Sequence, residues 1–204
     1  MLVVGLTGSM GMGKSTAAAA FRARGIGVCD ADAEVHKLYE GAAVPLIEAA
    51  FPGTTAEGKV VRPKLAAAVL ADPAGFKRLE SIVHPLVHAA ERAFLQDEAE
   101  RGAKLAVLEI PLLFETGGDA RVDVVVVVSA NEATQRERLL LRPGMTGEKL
   151  EGLLARQMAD RDKRSRAHFV VDTNKSIQDC DAAIGAIVTT LENREGGAFE
   201  RYWA

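Results

Sequence analysis

The feature that most constrains the fold is a short apolar run leading straight into a glycine-rich loop, "LVVGLTGSMGMGKST", at Leu2 to Thr16. Leu2 to Leu6 reads as a strand buried on both faces. "KSTAAAAFRAR", Lys14 to Arg24, is rich in good helix formers and predicts a helix. Between them Gly8, Gly13, Lys14 and Ser15 fit G-x-x-x-x-G-K-[ST] in the strand–loop–helix setting that the pattern requires. Glycines let the backbone curl several N–H groups toward one anion, and the following helix adds its positive end. Lys14 is expected on the β- and γ-phosphates of ATP, and the Ser15 hydroxyl in the shell of the Mg²⁺ that ATP carries. Gly11 gives the loop further freedom, and Met12 and Thr16 complete the nucleotide-binding segment. The side chains of Met10 and Met12 are assigned no chemistry beyond packing.

Further apolar runs follow: "GIGVCD" ending at Asp30, Leu105 to Ile110, Val122 to Ser129 and Phe169 to Asp172. Helical patterns lie between them, most clearly Asn131 to Leu141, Gly147 to Asp160 and Ser176 to Asn193. Alternation of this kind predicts an α/β fold: a P-loop NTPase-type parallel sheet covered by helices on both faces, with ligands at the carboxyl ends of the strands. One connection is too long. The second and third strands are separated by helical patterns at Ala33 to Glu40, Pro45 to Phe51, Lys64 to Leu70, Ala74 to Ile82 and Pro85 to Arg101. A crossover needs a dozen or so residues, so an inserted helical subdomain is expected there. The chain is therefore read as one domain, with a core over about 1–32, 103–141 and 167–204 and a helical insertion over about 33–102.

Composition narrows the partners. A net charge of −3 does not favour a nucleic-acid polyanion. The longest apolar run is interrupted by Asp123 and is far too short to cross a bilayer, so no membrane partner is expected. "MLVVGLTG" has no basic region and no cleavage site, which argues against a signal peptide. Cys29 and Cys180 do not make a disulfide framework, and a reduced, cytoplasmic protein is the economical reading. Small-molecule partners remain, and the sequence specifies no oligomeric state.

"CDAD" places Asp30 and Asp32 at the exit of the second strand. A kinase needs a carboxylate to accept the proton of the acceptor hydroxyl. An Asp at this place also suits the cap of the helix that begins near Ala33, and each residue can take one role. "RLESIVHPLV" (Arg78 to Val87), "PLLFE" (Pro111 to Glu115), "QRERLLLR" (Gln135 to Arg142), "RQM" (Arg156 to Met158) and "AHFVVDT" (Ala167 to Thr173) follow in order. With the phosphate loop and "DAD", these segments resemble the dephospho-CoA kinase family over almost the whole chain. The resemblance implies ATP-dependent phosphorylation of the ribose 3′-hydroxyl of dephospho-CoA, giving CoA and ADP. It implies Asp32 as general base and Arg142 as a lid arginine on the nucleotide phosphates. It also implies a single P-loop kinase domain in which the helical insertion binds the CoA side and the segment over about 142–166 is a mobile lid. His168 stands where the family commonly has Asp, a departure that bears on local capping.

Arg142 precedes Pro143-Gly144 and is well placed to swing on a hinge over developing charge. Arg136, Arg138, Arg156, Arg161, Arg164 and Arg166 are read by default as a solvated face, with Arg156 a further candidate for the phosphates. Pro85 is expected to start a helix with His84 at its cap, while the resemblance hints at a substrate-side role for His84. Glu109 is a candidate for a magnesium-bound water, Pro111 to Phe114 for an apolar wall at the acceptor, and Glu115 for a hydrogen bond to it. No His/Cys/Asp/Glu set has zinc spacing. Other classes stay open: a shikimate or nucleoside kinase, since "ETGGDA" offers a Gly-Gly pair, or a P-loop switch. "TNKSI" lacks the Asp of the guanine-reading N-K-x-D signature, which counts against a GTPase.

Overall fold

The computed structural model describes residues 1–155 and 157–204, so Arg156 lies outside the described residues. The chain divides into two compact units, one of residues 1–29 and 95–204, the other of residues 30–94.

The larger unit is built on a five-stranded sheet in the order β2-β5-β1-β6-β7. The strands are β1 (Leu2–Thr7), β2 (Gly27–Asp30), β5 (Leu105–Glu109), β6 (Val124–Ser129) and β7 (Phe169–Asp172). The pairs β1–β5, β1–β6 and β6–β7 are parallel. The three inner strands are buried along their whole length, as sheets covered on both faces require, whereas the edge strands β2 and β7 are only partly buried. Helices α1 (Lys14–Arg22) and α9 (Ile177–Leu191) contribute Phe21, Ile184 and Leu191 to one core that they share with Val4, Val107 and Val126 of the sheet. Cys29 and Cys180 are both buried, and among the described residues they form no disulfide.

Two details correct the expected boundaries. The run read as Val122 to Ser129 enters the sheet only at Val124. Asp123 is held outside it because its carboxylate accepts the N–H groups of Val3, Gly197 and Ala198 at 2.7–2.8 Å, tying the last residues to β1. The single helix expected over Gly147 to Asp160 is two, α7 (Gly147–Leu154) and α8 (Asp160–Ser165). The intervening Gln157 and Met158 use their polar groups in tertiary contacts instead of a helical ladder.

His168 explains its own tolerance. Its N–H donates to Val125 O at 2.9 Å and its Nδ1 accepts from Val125 N at 3.0 Å. A main-chain N–H can only donate, so Nδ1 carries no proton. An Asp carboxylate can accept the same bond. His168→Asp is therefore expected to leave the thermal midpoint nearly unchanged, whereas His168→Ala strands a buried N–H and costs about 1–2 kcal/mol in denaturant melts.

The smaller unit holds α2 (Ala31–Leu38), α3 (Val44–Ala50), a hairpin of β3 (Thr55–Ala56) and β4 (Lys59–Val60), α4 (Arg62–Ala71) and the first part of α5 (Gly75–Glu100). Its own core gathers Ile47, Phe51, Val60, Leu65 and Val69. The hairpin turns through Glu57 and Gly58, both at positive φ (51° and 73°), the geometry of a two-residue type I′ connection. The two helices expected on either side of His84-Pro85 are one. Pro85 sits inside α5, so His84 is not a cap; it is an exposed interior residue whose ring lies 6.4 Å from that of His88 one turn on. The helix loses the bond that a residue-85 N–H would give to Ser81 O, and continues because Val83 and Val87 are buried on either side.

Candidate active site

The phosphate loop spans the end of β1 and the start of α1. A Cβ on Gly8 would stand 2.5 Å from Val128 Cγ2 and 2.6 Å from Val128 O, so no larger residue fits there. Gly13 caps α1 at φ 90°, ψ 24°, left-handed backbone that favours glycine. Three successive loop carbonyls are tied to the scaffold. Met10 O accepts from Gln135 Nε2 at 2.7 Å, Gly11 O from Arg138 Nη1 at 3.3 Å, and Met12 O from Thr173 Oγ1 at 2.8 Å. A trans peptide points its N–H opposite its C=O, so anchoring these carbonyls outward turns the N–H groups of Gly11 and Gly13 to the inside of the loop. Met12 is 2% exposed and its Sδ accepts Ala130 N–H at 3.0 Å, so this side chain plugs the loop into the core.

Lys14 Nζ reaches back across the loop to Gly8 O at 2.9 Å. Ser15 is exposed at the first turn of α1, and Thr16 is half-buried behind it. The Ser15 hydroxyl fits a place in a nucleotide-borne Mg²⁺ shell, and among the described residues no group of three or more His, Cys, Asp or Glu side chains forms a metal cage of its own. Glu109 ends β5 and is 5% exposed.

Beside the loop lies a cavity of about 420 Å³ whose lining includes Ser9, Met12, Gln135, Gln157, Asp160 and Arg164. Asp160 accepts from Ser129 Oγ at 2.7 Å through Oδ2, while its buried Oδ1 has no hydrogen-bond partner among the described residues. Gln157 Oε1 accepts Met10 N–H at 3.0 Å.

Arg142 is exposed just beyond α6 (Glu132–Leu140), and its guanidinium has no side-chain partner among the described residues. Met145 N–H closes onto Arg142 O at 3.1 Å around Pro143 and Gly144 (φ 73°), a type II turn built from the two residues that suit it. The neighbouring arginines are not a uniform solvated face. Arg138 braces the loop and Thr173, Arg136 pairs with Glu132 and Glu151, and Arg166 pairs with Asp119.

Glu115 is engaged by neighbouring protein groups. Its Oε1 takes a salt bridge from Lys163 Nζ at 2.9 Å and Met158 N–H at 2.8 Å. Burial pushes this carboxyl up, but the hydrogen bonds from Lys163 and Met158 outweigh it and hold the group below the ordinary carboxylate value. Leu113 and Phe114 turn inward and pack with Val125 and Val127.

In the smaller unit Asp30 is the N-cap of α2, with Oδ1 accepting Ala33 N–H at 3.1 Å. Asp32 is exposed in the first turn of that helix. Gln135, Thr173, Gln157 and Lys163 carry site geometry that the sequence did not single out. The available signal for Gln157 was its place in "RQM", one of the segments that carry the family resemblance.

A parallel sheet with β1 flanked by β5 and β6, and a phosphate loop running into α1, define a P-loop kinase fold. The sequence profile of the family described as Dephospho-CoA kinase matches residues 2–179. A dephospho-CoA kinase of Rhodopseudomonas palustris (strain ATCC BAA-98 / CGA009) is 60% identical over 177 residues, covering 87% of this chain and 89% of that protein. One from Mesorhizobium japonicum is 53% identical over 196 residues, covering 96% of this chain and all of the other. The crystal structure of TT1252 from Thermus thermophilus superposes with a TM-score of 0.79 at 36% identity, covering 93% of this chain and 97% of that one. The chain belongs to the dephospho-CoA kinase family.

Proposed function

We propose that this protein transfers the γ-phosphoryl group of ATP to the ribose 3′-hydroxyl of dephospho-CoA, giving CoA and ADP, the final step of coenzyme A synthesis, in the cytoplasm. The observation that carries the reading is a phosphate loop with its carbonyls anchored outward, in a chain that the family profile matches over residues 2–179.

In this mechanism the inward N–H groups of the loop and the Lys14 ammonium hold the β- and γ-phosphates. Ser15 supplies a hydroxyl ligand for Mg²⁺, which neutralises phosphate charge when bound. Asp32 takes the proton of the 3′-hydroxyl as its oxygen bonds to the γ-phosphorus. The bond to the β–γ bridging oxygen breaks, and ADP leaves. Arg142, on its Pro-Gly turn, closes over the charge that spreads on the transferring group. The helical insertion, with His84, belongs to the acceptor side.

No helix among the described residues is long and apolar enough to cross a membrane. A coupled ADP-release assay comparing dephospho-CoA, shikimate, AMP and uridine tests the acceptor. Turnover is expected with dephospho-CoA and to stay low without acceptor. Clear turnover with another acceptor and none with dephospho-CoA rejects the reading, and hydrolysis indifferent to acceptors points to a switch.

A further inference from the structure

We propose that Gln157 is a phosphate-contacting residue: its carboxamide holds the Met10 end of the phosphate loop and donates to the terminal phosphate of the nucleotide. This rests on reading the loop as the ATP site. Because a main-chain N–H can only donate, the 3.0 Å contact from Met10 N fixes Oε1 as the atom that faces the loop. Both N–H donors of Nε2 are then left over, and no described residue accepts from them although Gln157 lines the cavity beside the loop. Lys14 Nζ, on Gly8 O, stands over the same first half of the loop. A phosphate-loop lysine serves the β- and γ-phosphates, so this half is the terminal-phosphate end.

The backbone next to Gln157 is pinned. Met158 N–H is held by Glu115, and Glu115 by the fully buried Lys163. Lys163 also donates to Pro111 O at 3.2 Å, which accepts from Thr7 Oγ1 at 3.2 Å, on the residue just before Gly8. Gln157 is thus fixed to the loop both through its own side chain and through its neighbours. A carboxamide suits the place, since it accepts the loop N–H while presenting donors, not negative charge, to a phosphate. Arg164 adds positive charge to the same cavity.

Calorimetric titration of the full chain with Mg²⁺ and either ADP or a non-hydrolysable ATP analogue tests this, beside wild-type turnover of dephospho-CoA. Gln157→Ala is expected to weaken the analogue about tenfold and ADP by less than about twofold. Gln157→Glu keeps an acceptor for Met10 N–H but replaces the donors with charge, so it should weaken the analogue at least as much. Equal weakening of both nucleotides, or a Gln157→Glu affinity within about twofold of wild type, overturns the proposal and leaves Gln157 as a loop brace. Matching thermal midpoints for wild type and Gln157→Glu keep the comparison valid if Gln157→Ala fails to fold. Analogue binding without dephospho-CoA turnover in the wild type rejects the acceptor assignment alone, and the nucleotide ratio still decides the role of Gln157.

Discussion

Asp32→Asn is expected to lower kcat by about 10²- to 10⁴-fold while the dissociation constant for ATP stays within about twofold. The substitution keeps the volume of the side chain on an exposed position of the first turn of α2 and removes its ability to take a proton. The loss is therefore expected in the chemical step and not in nucleotide binding, which depends on the phosphate loop. Asp30→Asn is the matched control. Asp30 accepts Ala33 N–H as the helix cap, and Asn caps about as well as Asp, so kcat and stability should stay near wild type. Single-turnover rates and calorimetric ATP binding on both variants check this. A severe kcat loss in Asp30→Asn with near-normal Asp32→Asn reverses the assignment within the pair.

The two aspartates show what a sequence exposes. A helix start is a local event, so capping chemistry at Asp30 is readable from a few residues. The inner strands are equally legible, because burial on both faces writes an unbroken apolar run such as "VVVVVS" of β6. Pro85 misled because the rule that proline starts helices is a local preference, and tertiary burial of Val83 and Val87 overrides it. The β3–β4 hairpin has strands of two residues, too short for any period to register, and only Glu57-Gly58 marked the turn. The phosphate loop was plain from its spacing. The scaffold that holds it was not, since Gln135 and Arg138 on α6 and Thr173 after β7 lie far from the loop in sequence, and a charged or polar residue on a helix looks solvated until its partner is known.

Lys163 is the clearest case of that blindness, and its removal should have the largest effect on stability. Its side chain is 0% exposed, amid a sequence of charges that otherwise reads as surface, and its ammonium serves Glu115 and Pro111 O. Lys163→Met keeps much of the apolar stem but takes the ammonium away from the partly exposed Glu115 carboxylate, which keeps the N–H groups of Met158 and of its own backbone. The expected cost at neutral pH is about 1–3 kcal/mol, enough to lower the thermal midpoint by about 2–12 °C. Lys163→Met combined with Glu115→Gln should recover a large part of the loss, because the second change removes the stranded charge. In the wild type the Glu115 carboxyl is held below its ordinary value, so the pair's stabilisation is present above that ordinary value and lost as pH falls through the lowered one. Without Lys163 the strongest of the interactions that lower this carboxyl is gone, so it neutralises at milder acidity than in the wild type. The deficit of Lys163→Met relative to wild type should therefore shrink between about pH 7 and about pH 4 in urea melts. A deficit that stays constant over that range would show that Lys163 acts through packing and its bond to Pro111 O, not by compensating the charge of Glu115.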